Sequence, residues 1–217
     1  MMFNSKFFFF MCTCCALSLK AYSLPTHYTE TIADLVANNP HQLSIREYSL
    51  IAENLLQRGP CNMLIFGVGR DSALWMNLNE GGTTIFLEDN LEWLKYAQDQ
   101  LPDIQAYLVE YHSKRSQWKM YLEARNYKKL YMNLPEVVMN TKWDIIFVDG
   151  PAGNTDSKPG RMKSIYMASL LAHQGNQTTD VFVHDCDRQV EAVYCTTFLG
   201  DENLQMTIDR LRFYKIL

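Results

Sequence analysis

The sequence predicts a doubly wound α/β fold, a mostly parallel sheet with helices on both faces and antiparallel strands at its carboxyl-terminal end. Three observations carry that expectation. A short, unbroken apolar run from Met63 to Phe66 stops at Gly67-Val-Gly69 and passes into a helical pattern through Ala73, Leu74 and Trp75, as a buried parallel strand, a tight turn and a helix would. Apolar strands and amphipathic helices then alternate along the chain. Finally, the strands end in clusters of polar residues, the place where ligands of open α/β sheets bind.

At 217 residues, 47% hydrophobic and 20% charged, the chain has the size of one well-buried domain, which we place over residues 24–217. Its net charge of −4, with no basic block and no aromatic-basic interleaving, argues against nucleic acid as a partner. No stretch reaches the ~20 apolar residues of a membrane span. Residues 1–23 read as a leader. Lys6 precedes a 13-residue apolar run, Phe7 to Leu19, and Ala21-Tyr-Ser23 then supplies small residues before Leu24-Pro25. That is the layout of a secretory signal peptide, or of a short amino-terminal anchor left uncleaved in a secretory-pathway membrane. Cys12, Cys14 and Cys15 lie in the leader, which leaves Cys61, Cys186 and Cys195 for the domain. An odd number in an oxidising compartment means one disulfide and a thiol, or no disulfide. Among Cys61, Cys186 and Cys195 no C-x-x-C pair suggests zinc.

Thr29 to Asn38 predicts a short helix, closed by Asn39-Pro40. Ser44-x-x-Glu47 is a capping box that opens a second, with Ile45, Tyr48, Ile51, Leu55 and Leu56 on one face and Gly59-Pro60 at its end. Both precede the first strand and are expected to cover one side of a ligand cleft. After the glycine turn, Asp71 or Ser72 caps a helix over residues 71–78. Thr83 to Leu87 is a second strand, and Leu91 to Gln100 an amphipathic helix broken by Pro102-Asp103. Ile104 to Tyr111 alternates as a third strand through Ile104, Ala106 and Leu108. Residues 113–140 are polar and Lys/Tyr-rich, with a helix expected over Gln117 to Arg125. Trp143 to Val148 is a fourth strand; Gly160-Arg-Met162 leads a helix to about Ala172. Asp180 to Val183 is a fifth strand, followed by a helix from Gln189 to about Phe198. Gln205 to Ile208 and Leu211 to Ile216 pair as a hairpin around Asp209-Arg210.

Four polar clusters fall at strand ends: Gly67, Gly69, Asp71 and Ser72; Glu88-Asp89; Asp149-Gly-Pro; and His184-Asp185-x-Asp187. Glycines let the turn approach a ligand. Glu88, 21 residues after Gly67, sits at the spacing from which an acid reaches two ribose hydroxyls. The third glycine of the dinucleotide fingerprint is absent, which weakens a pyrophosphate reading. An adenosine ligand with no phosphate, such as S-adenosylmethionine (SAM), needs the turn and the acid only. A plain strand-to-helix turn is the bland alternative. With SAM the reaction is methyl transfer by in-line displacement, and an alcohol acceptor needs its proton removed. Asp149, His184 and Asp185 are the candidate bases. Alternatively Asp149 with Asp185 or Asp187 binds a divalent cation that acidifies the hydroxyl. Asp149 also reads as a turn former, Asp185 and Asp187 as helix caps, and His184 as a loop histidine. Arg161, in Pro-Gly-Arg-Met, is suited to a two-point grip on a substrate carboxylate, or is a surface cation.

Cys61 through Trp75, Gly81-Gly-Thr-Thr-Ile-Phe-Leu-Glu-Asp89, Trp143 through Pro151, Pro159-Gly-Arg-Met162 and Val181-Phe-Val-His-Asp-x-x-Arg-x-Val-Glu191, in this order, resemble the plant glucuronoxylan 4-O-methyltransferase family. The polysaccharide-biosynthesis domain of that family is shared with arabinogalactan methyltransferases and irregular-xylem proteins. The resemblance covers about residues 45–217. It implies a class I SAM-dependent methyltransferase of Rossmann-like fold, acting in the Golgi lumen or after secretion on the 4-hydroxyl of glucuronic acid in a polysaccharide or glycan. By position, Gly67, Gly69, Asp71, Ser72 and Glu88 would hold SAM, with Asp89 beside them. Asp149, Arg161, His184, Asp185 and Arg188 would line the acceptor side. The other readings are a non-catalytic scaffold for polysaccharide synthesis and a nicotinamide-linked oxidoreductase, the latter disfavoured by the missing glycine.

Overall fold

The computed structural model describes residues 24–40 and 42–217; the leader expected over residues 1–23 lies outside them. No helix among the described residues is long and apolar enough to cross a membrane. The chain opens with helices α1 (Thr26–Asn38) and α2 (Ile45–Arg58) and then alternates: β1 (Asn62–Phe66), α3 (Ser72–Leu78), β2 (Thr83–Glu88), α4 (Leu91–Gln100) and β3 (Gln105–Leu108). Two short helices, α5 (Trp118–Tyr121) and α6 (Glu136–Asn140), lead to β4 (Ile145–Val148), α7 (Met162–Ala172), β5 (Thr179–Val183), α8 (Gln189–Phe198), β6 (Leu204–Ile208) and β7 (Leu211–Ile216).

The seven strands form one sheet in the order β3-β2-β1-β4-β5-β7-β6. The first five are parallel, and β7 pairs antiparallel with β5 and β6. The order reverses between β1 and β4, so the crevice above these two strands is the topological switch point.

Alternation along the strands builds two cores. Leu64, Phe66, Ile146, Val148, Val181 and Val183 face Met162, Ile165 and Leu171 of α7 and Tyr194 of α8. Met63, Ile65, Ile145, Phe147 and Phe182 face Tyr48, Ile51 and Leu55 of α2 and Leu74, Trp75 and Leu78 of α3. Burial on both faces is why β1 and β4 read as unbroken apolar runs. It is worth about 1.5–3 kcal/mol for each large aliphatic or aromatic side chain.

The structure departs from the expected elements mainly between β3 and β4. Strand β3 ends at Leu108, and the expected alternation loses its phase there. Leu108 is exposed, whereas Val109 and Tyr111, past the strand, are buried. A sheet-edge strand with one partner is free to leave the ladder early. The helix expected over Gln117 to Arg125 is instead a 3₁₀ turn at Arg115–Gln117, the single turn α5 and a second 3₁₀ segment at Ala124–Lys129. Leu130, Met132 and Leu134 follow as buried anchors, so tertiary packing sets this path and no long amphipathic face is needed. Helix α6 was not signalled in the sequence. Helix α1 begins at Thr26, earlier than expected, with Pro25 at its N-cap. The three described cysteines are all free, with Cys186 and Cys195 Sγ atoms 3.7 Å apart in the core.

Gly150, two residues past the end of β4, lies against the glycine turn. A Cβ built there would stand 2.9 Å from Gly67 Cα and 3.0 Å from Phe66 O. Gly150→Ala is therefore expected to cost about 1–3 kcal/mol through forced separation of β1 and β4. The measurement is thermal melting, and an unchanged Tm would show that the crossing is not tight.

Candidate active site

Above the switch point lies a cleft of about 730 Å³, bordered by residues that follow β1, β2, β4 and β5. Asn39 and Gln42, in the connection between α1 and α2, close one side, whereas no residue of the two helices expected to cover it lines the cleft.

On the β1–β2 side the chain leaves β1 through Gly67, whose φ is +114°, a conformation open to glycine and strained for other residues. Its own added Cβ would meet Gly150 N at 3.3 Å. Glu88, 7% exposed, accepts the Val68 N–H at Oε2 (2.9 Å) and the Asn90 N–H at Oε1 (2.8 Å). The end of β2 is thereby tied to the glycine turn. Each carboxylate oxygen keeps acceptor capacity beyond these bonds. Burial pushes the Glu88 carboxyl above its ordinary range, against the backbone hydrogen bonds. Asp89 borders the mouth of the cleft and is raised by burial, with Lys158 opposing.

Asp71 occupies the N-cap position of α3, but its side chain does not cap. Asp71 Oδ2 accepts the Trp75 Nε1–H at 3.0 Å. Ser72 does not cap either; its hydroxyl accepts the Gly69 N–H at 3.1 Å and closes the turn. Burial, together with the nearby Asp149 charge, pushes the Asp71 carboxyl up to about 6.

On the β4–β5 side the charges are densely paired. Arg161 Nη2 bridges Asp149 Oδ1 (2.9 Å) and Asp185 Oδ2 (2.6 Å). His184 Nδ1 is 2.8 Å from Asp149 Oδ1. Asp185, with a left-handed φ of 61°, carries three guanidinium groups, from Arg161, Arg188 (2.9 Å) and Arg210 (3.1 Å). Burial opposes the Asp149 charge, but Arg161 and His184 outweigh it and hold the carboxyl below the ordinary range. Arg161 is 5% exposed, and its Nε and Nη1 have no hydrogen-bond partner among the described residues. Two buried donors left open beside a cleft are a costly arrangement that an incoming acceptor group relieves.

The atoms of Asp149, His184 and Asp185 that could ligate a cation lie within 4.8 Å of one another. Arg161 Nη2 already stands between the two carboxylates, so a divalent ion would have to share or displace it. Asp187 is exposed and outside this group, so its expected alternative role as a ligand does not hold. Neither Asp185 nor Asp187 caps α8, whose N-cap residue is Arg188 with no side-chain bond.

The family described as IRX15/IRX15L/GXM matches residues 46–132 and 119–214. The chain belongs to the IRX15/IRX15L/GXM family. It is 35% identical over 195 residues to arabinogalactan O-methyltransferase 2 of Arabidopsis thaliana, covering 81% of this chain and 67% of that protein. It is 35% identical over 191 residues to glucuronoxylan 4-O-methyltransferase 1 of the same plant, covering 81% and 68%. Among solved structures, the O-methyltransferase TomG of Streptomyces achromogenes, in complex with SAM, superposes with a TM-score of 0.54 at 10% identity over 91% of this chain and 92% of that one. A putative caffeoyl-CoA O-methyltransferase from Staphylococcus aureus gives 0.53 at 15% identity, over 87% and 91%. The fold is that of class I SAM-dependent O-methyltransferases.

In this IRX15/IRX15L/GXM member, all eleven residues expected at the site border the one cleft: Gly67, Gly69, Asp71, Ser72, Glu88 and Asp89 on one side, and Asp149, Arg161, His184, Asp185 and Arg188 on the other. Sequence reasoning missed two contributors. Glu47, the capping-box acid of α2, is fully buried; it accepts the Ser44 N–H (2.6 Å) and the Arg210 N–H (2.8 Å) and lies 3.7 Å from His184 Nε2. Arg210 reaches Asp185 from the β6–β7 turn. Both read in sequence as local turn and cap chemistry, and only the long-range fold gives them this second task.

Proposed function

We propose that this protein is a SAM-dependent O-methyltransferase of the secretory pathway that acts on a sugar hydroxyl. The acceptor we favour is the 4-hydroxyl of glucuronic acid on a polysaccharide or glycan, the activity named in its glucuronoxylan relatives. The observation that best supports this is that one cleft joins a buried acid at the end of β2 to a buried, partly unpartnered arginine between β4 and β5. The first suits a ribose and the second a uronate carboxylate.

The residues present fit SAM: a turn too tight for side chains at Gly67, an acid with spare lone pairs at Glu88, and an excess of acid around a ligand that is itself cationic. When bound, SAM would supply an electrophilic methyl group on a sulfonium, taken in line by the acceptor oxygen as the thioether leaves. Glu88 would take the ribose hydroxyls, and Gly69, Ser72 and Asp89 would complete that wall. Asp149 receives the acceptor hydroxyl's hydrogen bond and then its proton, braced by His184 Nδ1–H. Arg161 and Arg188 meet the acceptor carboxylate. Asp185, saturated by guanidinium groups, aligns those arginines and is poorly placed to act as a base.

Incubating the full chain with SAM and a panel of glucuronate-bearing glycans, with products read by mass for one added methyl, tests the reading. If SAM binds but no such glycan is methylated, the acceptor assignment fails. If SAM does not bind, the non-catalytic polysaccharide-biosynthesis scaffold is the better account. Glu88→Ala is expected to weaken SAM binding at least tenfold, about the loss of one charge-assisted hydrogen bond. Titration calorimetry reads this, and an unchanged Kd would move the ribose elsewhere. The proximity of Asp149, His184 and Asp185 favours one further reading, a divalent cation among them. Turnover abolished by a chelator supports it; turnover retained assigns the cationic role to Arg161.

A further inference from the structure

Two acids, Asp71 and Asp149, line the cleft, and they are treated unequally. Asp149 is compensated by Arg161 and His184. Asp71, at the glycine turn, accepts the Trp75 indole N–H, which carries no charge, and has the Tyr48 hydroxyl near it. Tyr48 comes from α2 and stacks on Trp75 at 5.8 Å. The carboxylate is thus fixed in direction on one side, borders the cleft on the other, and has the Asp149 charge as its near electrostatic neighbour. An acid held this way lacks a cation.

We propose that Asp71 is the counter-ion of the cationic methionyl end of SAM, and that cofactor entry expels a proton from it. This rests on the SAM reading above and goes further, since it makes cofactor uptake a proton-linked step. Without ligand, burial and Asp149 favour the protonated acid, with half-protonation at about pH 6. A positive group placed against it favours the carboxylate. By linkage the ligand must then bind more weakly once the pH falls below that midpoint.

The test is calorimetry of SAM binding to the full chain in buffers of different ionisation enthalpy, which counts protons exchanged. At pH 6 the wild type is expected to release about half a proton more than Asp71→Asn, as a group with a midpoint near 6 requires. SAM affinity of the wild type should fall about tenfold from pH 7 to pH 5, the loss per pH unit below the midpoint for one linked proton. Asp71→Asn should lack that component. Glu88 and Asp89 are also raised by burial, so the readout is the difference between the two proteins. Tyr48→Phe keeps the charge but removes the neighbouring hydroxyl that lowers Asp71, and should move the release midpoint to higher pH. That variant decides the matter if Asp71→Asn does not fold. Tight SAM binding with equal proton release in wild type and Asp71→Asn, or an unmoved midpoint in Tyr48→Phe, overturns the counter-ion role alone. No SAM binding by the wild type overturns the cofactor reading itself.

Discussion

Asp149→Asn is expected to lower kcat at saturating SAM by about 10²–10⁴-fold, the usual worth of a positioned general base. Asparagine keeps the shape and can still accept from Arg161 and His184, so the loss isolates proton removal. The two other candidate bases are worse placed. Asp185 is pinned by three guanidinium groups, and His184 is 2% exposed and turned toward Asp149 and Glu47. Asp149, with a side chain 19% exposed, is the member of the set that an acceptor can touch. Its carboxyl is held below the ordinary range, so it stays ionised in mild acid. Turnover at saturating SAM should decline through Asp149 protonation only at pH below that range. Single-turnover rates of the variant check this, and a full wild-type rate would remove Asp149 from the chemistry.

Arg161→Lys is expected to raise the acceptor KM by roughly 100-fold, equivalent to two charge-assisted hydrogen bonds, and to leave SAM binding intact. Lysine can compensate the Asp149 and Asp185 charges but cannot present the planar fork. Arg161→Ala is the harsher change. It leaves the buried Asp185 and the part-exposed Asp149 without their shared cation, and breaking such a set costs up to about 3–5 kcal/mol. The alanine protein should therefore show a large fall in Tm, and the lysine protein a selective defect toward the acceptor. Equal effects of Arg161→Lys on SAM and acceptor would reduce this residue to a structural tie.

What the sequence disclosed follows the physics of each segment. Helix α4 was legible to the residue, Leu91–Gln100, because Asn90 caps one end and Pro102 breaks the other. The capping box of α2 formed as expected, with both hydrogen bonds present. The clusters at strand ends were legible because parallel strands must deliver their carboxyl ends to one edge of the sheet. Residues 109–134 were opaque, since short turns held by scattered buried anchors leave no period to detect. The division of labour among the acids was equally hidden. Asp149 and Asp71 look alike in one dimension. They differ only through Arg161 and His184 on one side and Tyr48 and Trp75 on the other, partners that come from separate helices and strands.

The β6–β7 turn bears on how the protein matures. Asp209 there accepts from the Ser44 hydroxyl (2.7 Å) and from Arg46, and the Arg210 N–H reaches Glu47, spanning more than 160 residues of chain. A nascent polypeptide that has emerged only through β5 already owns the glycine turn and both neighbouring strands. It has no Arg210 to settle Asp185, and no hairpin to fasten the amino-terminal pair of helices. Competence should thus switch on late and all at once during synthesis, and a nick in that one surface turn should silence a cleft whose lining residues all lie between positions 39 and 188.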